Sequence, residues 1–198
     1  MPLITIDNIA YHYRMSKRVP VDGCAVICIH GSGTSGIVWS YQISRLSKYF
    51  KIIAPDLPGH GESGGHTLPS AEAYARWLNR FSEELRLPSL YLCGHSFGGA
   101  IVQEYSRIYP QKVKGLVLIS TGMNFKLSKL YRQLTEQGID PSQAVLSAEL
   151  PEFFRKGYEL LSTISNQALH DDLLAAGAFD SAPWIGSLDV PSLVVWGS

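Results

Sequence analysis

The chain has 198 residues, the size of one domain, and 45% of them are hydrophobic, so it can bury a sizeable core. Its 17 basic and 17 acidic residues balance, so no net charge favours nucleic acid or an anionic membrane as a partner. No apolar run approaches the roughly 20 residues that span a bilayer, and the N-terminus lacks a basic region followed by an apolar one. We therefore expect a soluble cytoplasmic protein that binds neither nucleic acid nor membrane.

The first predicted element is a β-hairpin. Residues Leu3 to Met15 alternate between apolar and polar around Asp7 and Asn8, which is the period of a half-buried strand pair. We expect this hairpin to form the antiparallel edge of a larger sheet.

Four short apolar runs follow the hairpin, and helical patterns separate them. The runs are continuous rather than alternating, as in strands that are covered on both faces. Strands that alternate with helices indicate crossover units and a parallel sheet. Ser70 is the predicted N-cap of one of these helices, and Pro110 ends another. The predicted strands are 24–29, 50–54, 89–93 and 115–119.

Residues 124–186 have a different pattern, with short helical pieces broken by glycine and proline and no strand-like run. We interpret them as a helical cap over the end of the sheet, with most of their aromatic side chains in the core of the cap. A last predicted strand, Ser192 to Trp196, follows the cap. The aromatic side chains considered are Phe125, Tyr131, Phe153, Phe154, Phe179 and Trp184.

The three cysteines, Cys24, Cys28 and Cys93, all fall in predicted strands. Their number is odd, and no histidine lies at a spacing typical of a metal site. We expect buried, reduced thiols, and neither a metal nor a cofactor.

One candidate for chemistry is the segment Gly94-His95-Ser96-Phe97-Gly98, which joins the apolar run 89–93 to a helical pattern. A serine at a sharp strand-to-helix turn is presented by the backbone as a nucleophile. A Cβ on either flanking glycine is expected to clash where helix and strand approach each other.

Two polar loops also follow predicted strands, where open parallel sheets bind their ligands. The glycines of His30 to Gly36 allow amide hydrogens to converge on an oxyanion. An ordinary turn and a phosphate-binding loop are the alternatives, although no Gly-Lys-Ser/Thr motif or dinucleotide fingerprint is present. The second loop runs from Asp56 to Ser63.

Taken in this order and spacing, the three segments resemble the α/β-hydrolase fold family. The resemblance implies an α/β fold with a mostly parallel central sheet, helices on both faces, the N-terminal hairpin and the inserted cap. It implies Ser96 as the nucleophile and the backbone N–H groups of Ser32 and Phe97 as the oxyanion hole. Asp56 is implied to be architectural, and His30, His60 and His95 are not candidates for the base.

The family order of serine, acid and histidine leaves two members of the triad unassigned. The resemblance places the acid just after the strand that ends at Trp196, and the histidine after one more strand. We therefore expect on the order of 60 further residues beyond Ser198, since the family core includes a final strand and helix. Without them, the last strand is expected to be an open sheet edge. His170 lies beside Asp171 and Asp172, which we interpret as a solvated helix face.

The predicted division is a core over 1–123, a cap over 124–186 and a last core strand over 187–198. The predicted function is a serine hydrolase that cleaves an ester of a small, largely apolar substrate, with Trp39 and Met123 as pocket-lining residues by position. Carbon–carbon bond hydrolysis and cofactor-free perhydrolysis share the serine elbow and stay open. A non-catalytic ligand-binding module is the alternative if Ser198 is the true terminus, and a pure interaction scaffold is the weakest alternative. The oligomeric state is not predicted.

Overall fold

The computed structural model describes residues 2–16, 25–137 and 166–197. They form a seven-stranded sheet of order β1-β2-β4-β3-β5-β6-β7. The pairs β1/β2 and β2/β4 are antiparallel, and all the others are parallel. The predicted α/β fold, with its mostly parallel sheet and N-terminal antiparallel hairpin, is confirmed. The strands are β1 (Leu3–Ile6), β2 (Ile9–Met15), β3 (Ala25–Ile29), β4 (Lys51–Pro55), β5 (Leu90–His95), β6 (Val113–Ile119) and β7 (Ser192–Val195).

The hairpin turns at the predicted pair of residues. Asp7 and Asn8 have φ values of 51° and 64°, which are characteristic of the two-residue turns that match the twist of paired strands. Leu3 is paired with His12 in the register that this turn sets. The hairpin therefore forms the antiparallel edge of the sheet, as predicted.

Helices cover both faces of the sheet. Helix α1 (Ser40–Leu46) belongs to one face, while α2 (Ala71–Glu84) and α3 (Phe97–Ile108) pack on the other. Successive residues of a strand point to opposite faces, and the core is divided accordingly. Ile27 and Leu92 join the large cluster under α2 and α3, whereas Cys28 and Cys93 join a smaller one with Trp39. Both cysteines are buried free thiols, as expected, while Cys24 lies outside the described residues.

Helix α2 ties the hairpin to the core. The Ser70 hydroxyl accepts a hydrogen bond of 3.1 Å from Ala73 N–H, so the predicted N-cap is present. Phe81 is fully buried, and its ring meets that of Tyr13 edge to face at 5.6 Å. The predicted apolar stripe of this helix accordingly faces the core.

Two helices represent the predicted cap in the described part of the chain. They are α4 (Lys126–Glu136) and α5 (Asn166–Gly177). The two helices pack closely where Gly177 meets Ser128, since a Cβ on Gly177 would collide with the Ser128 carbonyl. Tyr131 and Phe179 are buried, whereas Phe153 and Phe154 lie outside the described residues. The division into core and cap domains stays a prediction.

Strand β7 lies at the edge of the sheet and pairs with β6. All four of its residues are exposed, and the Trp196 side chain that follows is 74% exposed. The apolar side chains of this edge are therefore uncovered in the structure. No helix among residues 2–16, 25–137 and 166–197 is both long and apolar enough to cross a bilayer.

Candidate active site

Ser96 lies at the turn between β5 and α3, where the backbone is strained. Its φ of 51° and ψ of −122° are unusual for a residue with a side chain. The surrounding hydrogen bonds hold this conformation, since Ser96 N–H donates to Ile119 O at 3.0 Å and Gly99 N–H donates to Ser96 O at 2.8 Å. The turn presents a half-buried serine at the carboxyl end of β5.

The glycines beside Ser96 are required by close backbone contacts. A Cβ on Gly94 would collide with the carbonyl of Gly98. A Cβ on Gly98 would lie 2.5 Å from the carbonyl oxygens of both Ile29 and His30. The sequence-based expectation of a clash at both glycines is confirmed, and the Gly98 contact joins the start of α3 to the end of β3.

The loop from His30 to Gly36, called the oxyanion loop below, lies against this turn. A Cβ on Gly31 would be only 3.2 Å from both Ser96 Cβ and His95 Nδ1. The loop is fixed internally, because the Gly31 carbonyl accepts hydrogen bonds from His30 Nδ1 at 2.9 Å and Thr34 Oγ1 at 3.0 Å. The backbone of the loop is therefore held beside the serine.

The N–H groups of Ser32 and Phe97 have no hydrogen-bond acceptor among the described residues. Phe97 is the first residue of α3, where the N–H groups of a helix lack internal partners and carry partial positive charge. The Gly31 carbonyl and the Ser32 N–H belong to one planar, trans peptide and point in opposite directions. The hydrogen bonds that fix the Gly31 carbonyl therefore also fix the direction of the Ser32 N–H. Two free amide donors near a serine can stabilise a developing oxyanion.

Asp56 joins the loops that follow β3 and β4. This buried carboxylate accepts hydrogen bonds from Gly36 N–H at 2.7 Å and Glu62 N–H at 3.0 Å. It also lies 2.8 Å from His12 Nδ1. Burial raises the pKa of Asp56, but these bonds and the charge of Arg14 outweigh it and hold the pKa below its usual value. The carboxylate thus ties β2, the oxyanion loop and its own loop together.

The pKa values of His30 and His60 are shifted in opposite directions although their rings are only 5.2 Å apart. Leu57 N–H donates to His30 Nε2 at 3.0 Å, so the ring hydrogen of neutral His30 is on Nδ1, which donates to the Gly31 carbonyl. Burial and the nearby His60 lower the pKa of His30 to about 4. Burial also lowers the pKa of His60, but hydrogen bonding and charge from Asp172 reverse this effect and raise it overall.

The interpretation of His170, Asp171 and Asp172 as a solvated helix face is wrong for Asp172. This side chain is fully buried beneath α5 and lies 2.9 Å from His60 Nε2. Asp171 accepts a hydrogen bond from Thr67 Oγ1, and His170 Nδ1 lies 2.8 Å from the Tyr131 hydroxyl. The helical spacing of the sequence did indicate that Asp172 is buried. Asp172 shares one face of α5 with a set of buried apolar residues, Ala168, Leu169, Ala175 and Ala176.

The remaining predicted site residues lie in different environments. Trp39 is buried in the small core cluster with Cys28 and Cys93, whereas Met123 is half exposed in the segment after β6. Neither position tests a pocket-lining role. No histidine or carboxylate of the described residues is hydrogen-bonded to the Ser96 hydroxyl.

A family model described as the alpha/beta hydrolase fold matches residues 25–156. The chain belongs to the α/β-hydrolase fold family. Among curated relatives, an uncharacterised Mycobacterium tuberculosis protein is 34% identical over 111 residues, 56% of this chain and 33% of the relative. A pimeloyl-[acyl-carrier protein] methyl ester esterase of Klebsiella pneumoniae is 31% identical over 102 residues, 52% of this chain and 38% of the relative.

The fold is shared over a longer range than the sequence. The crystal structure of the enol-lactonase from Burkholderia xenovorans superimposes with a TM-score of 0.76 at 19% identity. The similarity covers 100% of this chain and 81% of the lactonase. It shows the α/β-hydrolase fold, while the matched sequence spans 33% and 38% of the length of these two curated relatives.

Proposed function

We propose that this α/β-hydrolase cleaves carboxylic esters through an acyl-enzyme on Ser96. The observation that carries the proposal is the strained backbone of Ser96 beside a loop whose Ser32 N–H has no acceptor among the described residues. A strained residue persists only where the surrounding structure holds it, and such residues cluster at active sites. The resemblance of the elbow and the oxyanion loop to those of serine hydrolases supports the same role.

In the proposed reaction, Ser96 Oγ attacks the ester carbonyl and loses its proton to a general base. The carbonyl oxygen becomes an oxyanion, which accepts hydrogen bonds from Ser32 and Phe97 N–H. Phe97 opens α3, so the positive end of the helix dipole adds to this stabilisation. Collapse of the intermediate expels the alcohol, which takes the proton from the base. Water then gives a proton to the base and hydrolyses the acyl-enzyme, which releases the acid and restores Ser96. The proposal assigns neither the base nor its acid to a described residue.

The proposed substrate is a small and largely apolar ester. The esterase named among the relatives supports ester hydrolysis as the class. Trp39 and Met123 stay predictions as pocket residues. We expect no cofactor, metal, nucleic-acid or membrane partner, and a cytoplasmic location.

The test is hydrolysis of p-nitrophenyl esters from acetate to decanoate by the full-length protein. We expect turnover with a preference for short acyl chains, and a loss of at least about 10³-fold in kcat for Ser96→Ala. Ser44→Ala is the matched control, because its hydroxyl is exposed on α1, and it should retain wild-type turnover. Equal rates for wild type and Ser96→Ala would contradict the proposal and favour a ligand-binding module.

A further inference from the structure

The buried carboxylate of Asp172 connects the cap helix α5 to three separate parts of the core. Its Oδ2 accepts a hydrogen bond from Gly33 N–H at 3.1 Å and lies 2.9 Å from His60 Nε2. Its Oδ1 accepts a hydrogen bond from the Tyr74 hydroxyl at 3.1 Å. A charge removed from water is costly unless it is paired and hydrogen-bonded, and here every contact is a donor. Asp172 is therefore well accommodated without solvent.

His60 supplies the compensating charge. Its Nδ1 lies 3.0 Å from the Pro58 carbonyl, which can only accept, and its Nε2 faces the Asp172 carboxylate. Nδ1 therefore carries hydrogen. Burial lowers the pKa of His60, but the hydrogen bond and charge of Asp172 outweigh it and raise the pKa, which favours hydrogen on Nε2 as well. His30, the other titratable ring packed against it, is neutral at ordinary pH. The network thus pairs the Asp172 carboxyl with one histidine ring, that of His60, in the interior.

The bond to Gly33 reaches the proposed oxyanion donor. Gly33 N–H belongs to the peptide that follows Ser32, and the Gly31 carbonyl belongs to the peptide that precedes it. Asp172 fixes the following plane, while His30 and Thr34 fix the preceding one. Because each peptide is planar, fixing both planes fixes φ and ψ of Ser32. The Ser32 N–H lies in the preceding plane, so Asp172 restrains it indirectly, by preventing Ser32 from rotating one plane against the other.

Packing adds a second contact between α5 and the loop. A Cβ on Gly33 would lie 3.2 Å from Leu169 Cδ1, one turn before Asp172, and Gly33 has a φ of 63°. Helix α5 thus contacts the loop in two ways. The Leu169 side chain packs on Gly33, and the Asp172 carboxylate accepts a hydrogen bond from the Gly33 N–H.

We propose that Asp172 is a positioning residue of the oxyanion hole, which acts through Gly33 to orient the N–H of Ser32. The inference rests on the proposed function, since it assigns Ser32 to the oxyanion hole. Interactions with an oxyanion are made in the transition state and not with the bound ester. Replacing Asp172 should therefore lower kcat and leave KM nearly unchanged.

The experiment measures kcat and KM of the full-length protein on its best p-nitrophenyl ester, together with the Ki of a trifluoromethyl ketone. Asp172→Asn should lower kcat by about 10- to 100-fold, less than the loss of a whole oxyanion donor, with KM within about 3-fold. The Ki of the ketone should rise in parallel with the loss of kcat. Asp171→Asn is the matched control, since it removes the same charge from the neighbouring position without touching the loop, and its kinetics should be those of wild type.

A second variant covers the case in which Asp172→Asn does not fold. Asp172→Glu keeps the charge that His60 requires but moves the carboxylate by one methylene, so it should also lower kcat selectively. Unchanged kcat in a folded Asp172 variant, or an equal loss in Asp171→Asn, overturns the inference while leaving ester hydrolysis intact. An inactive wild type contradicts both the inference and the proposed function.

Discussion

Replacing Gly98 by alanine tests the geometry that presents Ser96. The added Cβ would lie 2.5 Å from the carbonyl oxygens of Ile29 and His30, whereas ordinary contacts begin at 3.4 Å. The start of α3 or the end of β3 must therefore move by about 1 Å. Neither partner is a flexible side chain, so the cost should reach the upper end of that for overpacking, about 3 kcal/mol in the free energy of unfolding.

Urea unfolding followed by circular dichroism measures this cost. Gly186→Ala is the control, because a Cβ there meets nothing within 4 Å, and its stability should change by less than about 0.5 kcal/mol. Turnover of the folded Gly98→Ala protein should also fall, since the oxyanion loop and the elbow meet at this contact. A loss below about 1 kcal/mol, with turnover unchanged, would refute the reasoning about the elbow.

Three further predictions concern stability. The pKa of His30 is about 4 in the fold against 6.5 for a free histidine, so the unfolded chain binds the proton first. Acidification from pH 6.5 to 4 should therefore lower the free energy of unfolding by up to roughly 3 kcal/mol. The urea midpoint should fall over this pH range, and it should fall less in His30→Gln. Ser70→Ala removes the N-cap of α2 and should cost about 1 kcal/mol by urea unfolding. Phe81→Ala empties a fully buried site and should lower the free energy of unfolding by about 3 to 5 kcal/mol.

Each of these predictions has its own control. Ser70→Asp retains a capping oxygen and should unfold like wild type, so an equal loss in both variants would show that the cap is not the cause. Phe81→Leu keeps most of the buried volume and should cost less than Phe81→Ala. A His30→Gln protein with the same acid sensitivity as wild type would assign that sensitivity to other groups.

The elements that local chemistry determines could be predicted from the sequence. The turn at Asp7 and Asn8 follows from residues that tolerate positive φ, and the strands follow from their apolar runs. The elbow at Ser96 was also predictable, because the close contact that requires glycine at position 94 is with Gly98, only four residues along the chain.

The buried network at Asp172 was not predicted, because its partners are far apart in sequence. His60 and Tyr74 lie about a hundred residues before it, and no local pattern brings them to α5. Asp172 lies on the apolar face of α5, which indicates burial, yet a charged residue is ordinarily expected to face solvent. Only the tertiary packing of α5 on the oxyanion loop shows that the charge is buried and paired.

The central claim, that Ser96 is a nucleophile, is tested most directly by covalent labelling. Full-length protein is incubated with a fluorophosphonate, and the adduct is located by peptide mass spectrometry. We predict one adduct per chain on the peptide that contains Ser96, and none in Ser96→Ala. Absence of labelling in the folded wild-type protein, or an adduct that persists in Ser96→Ala, would contradict the claim.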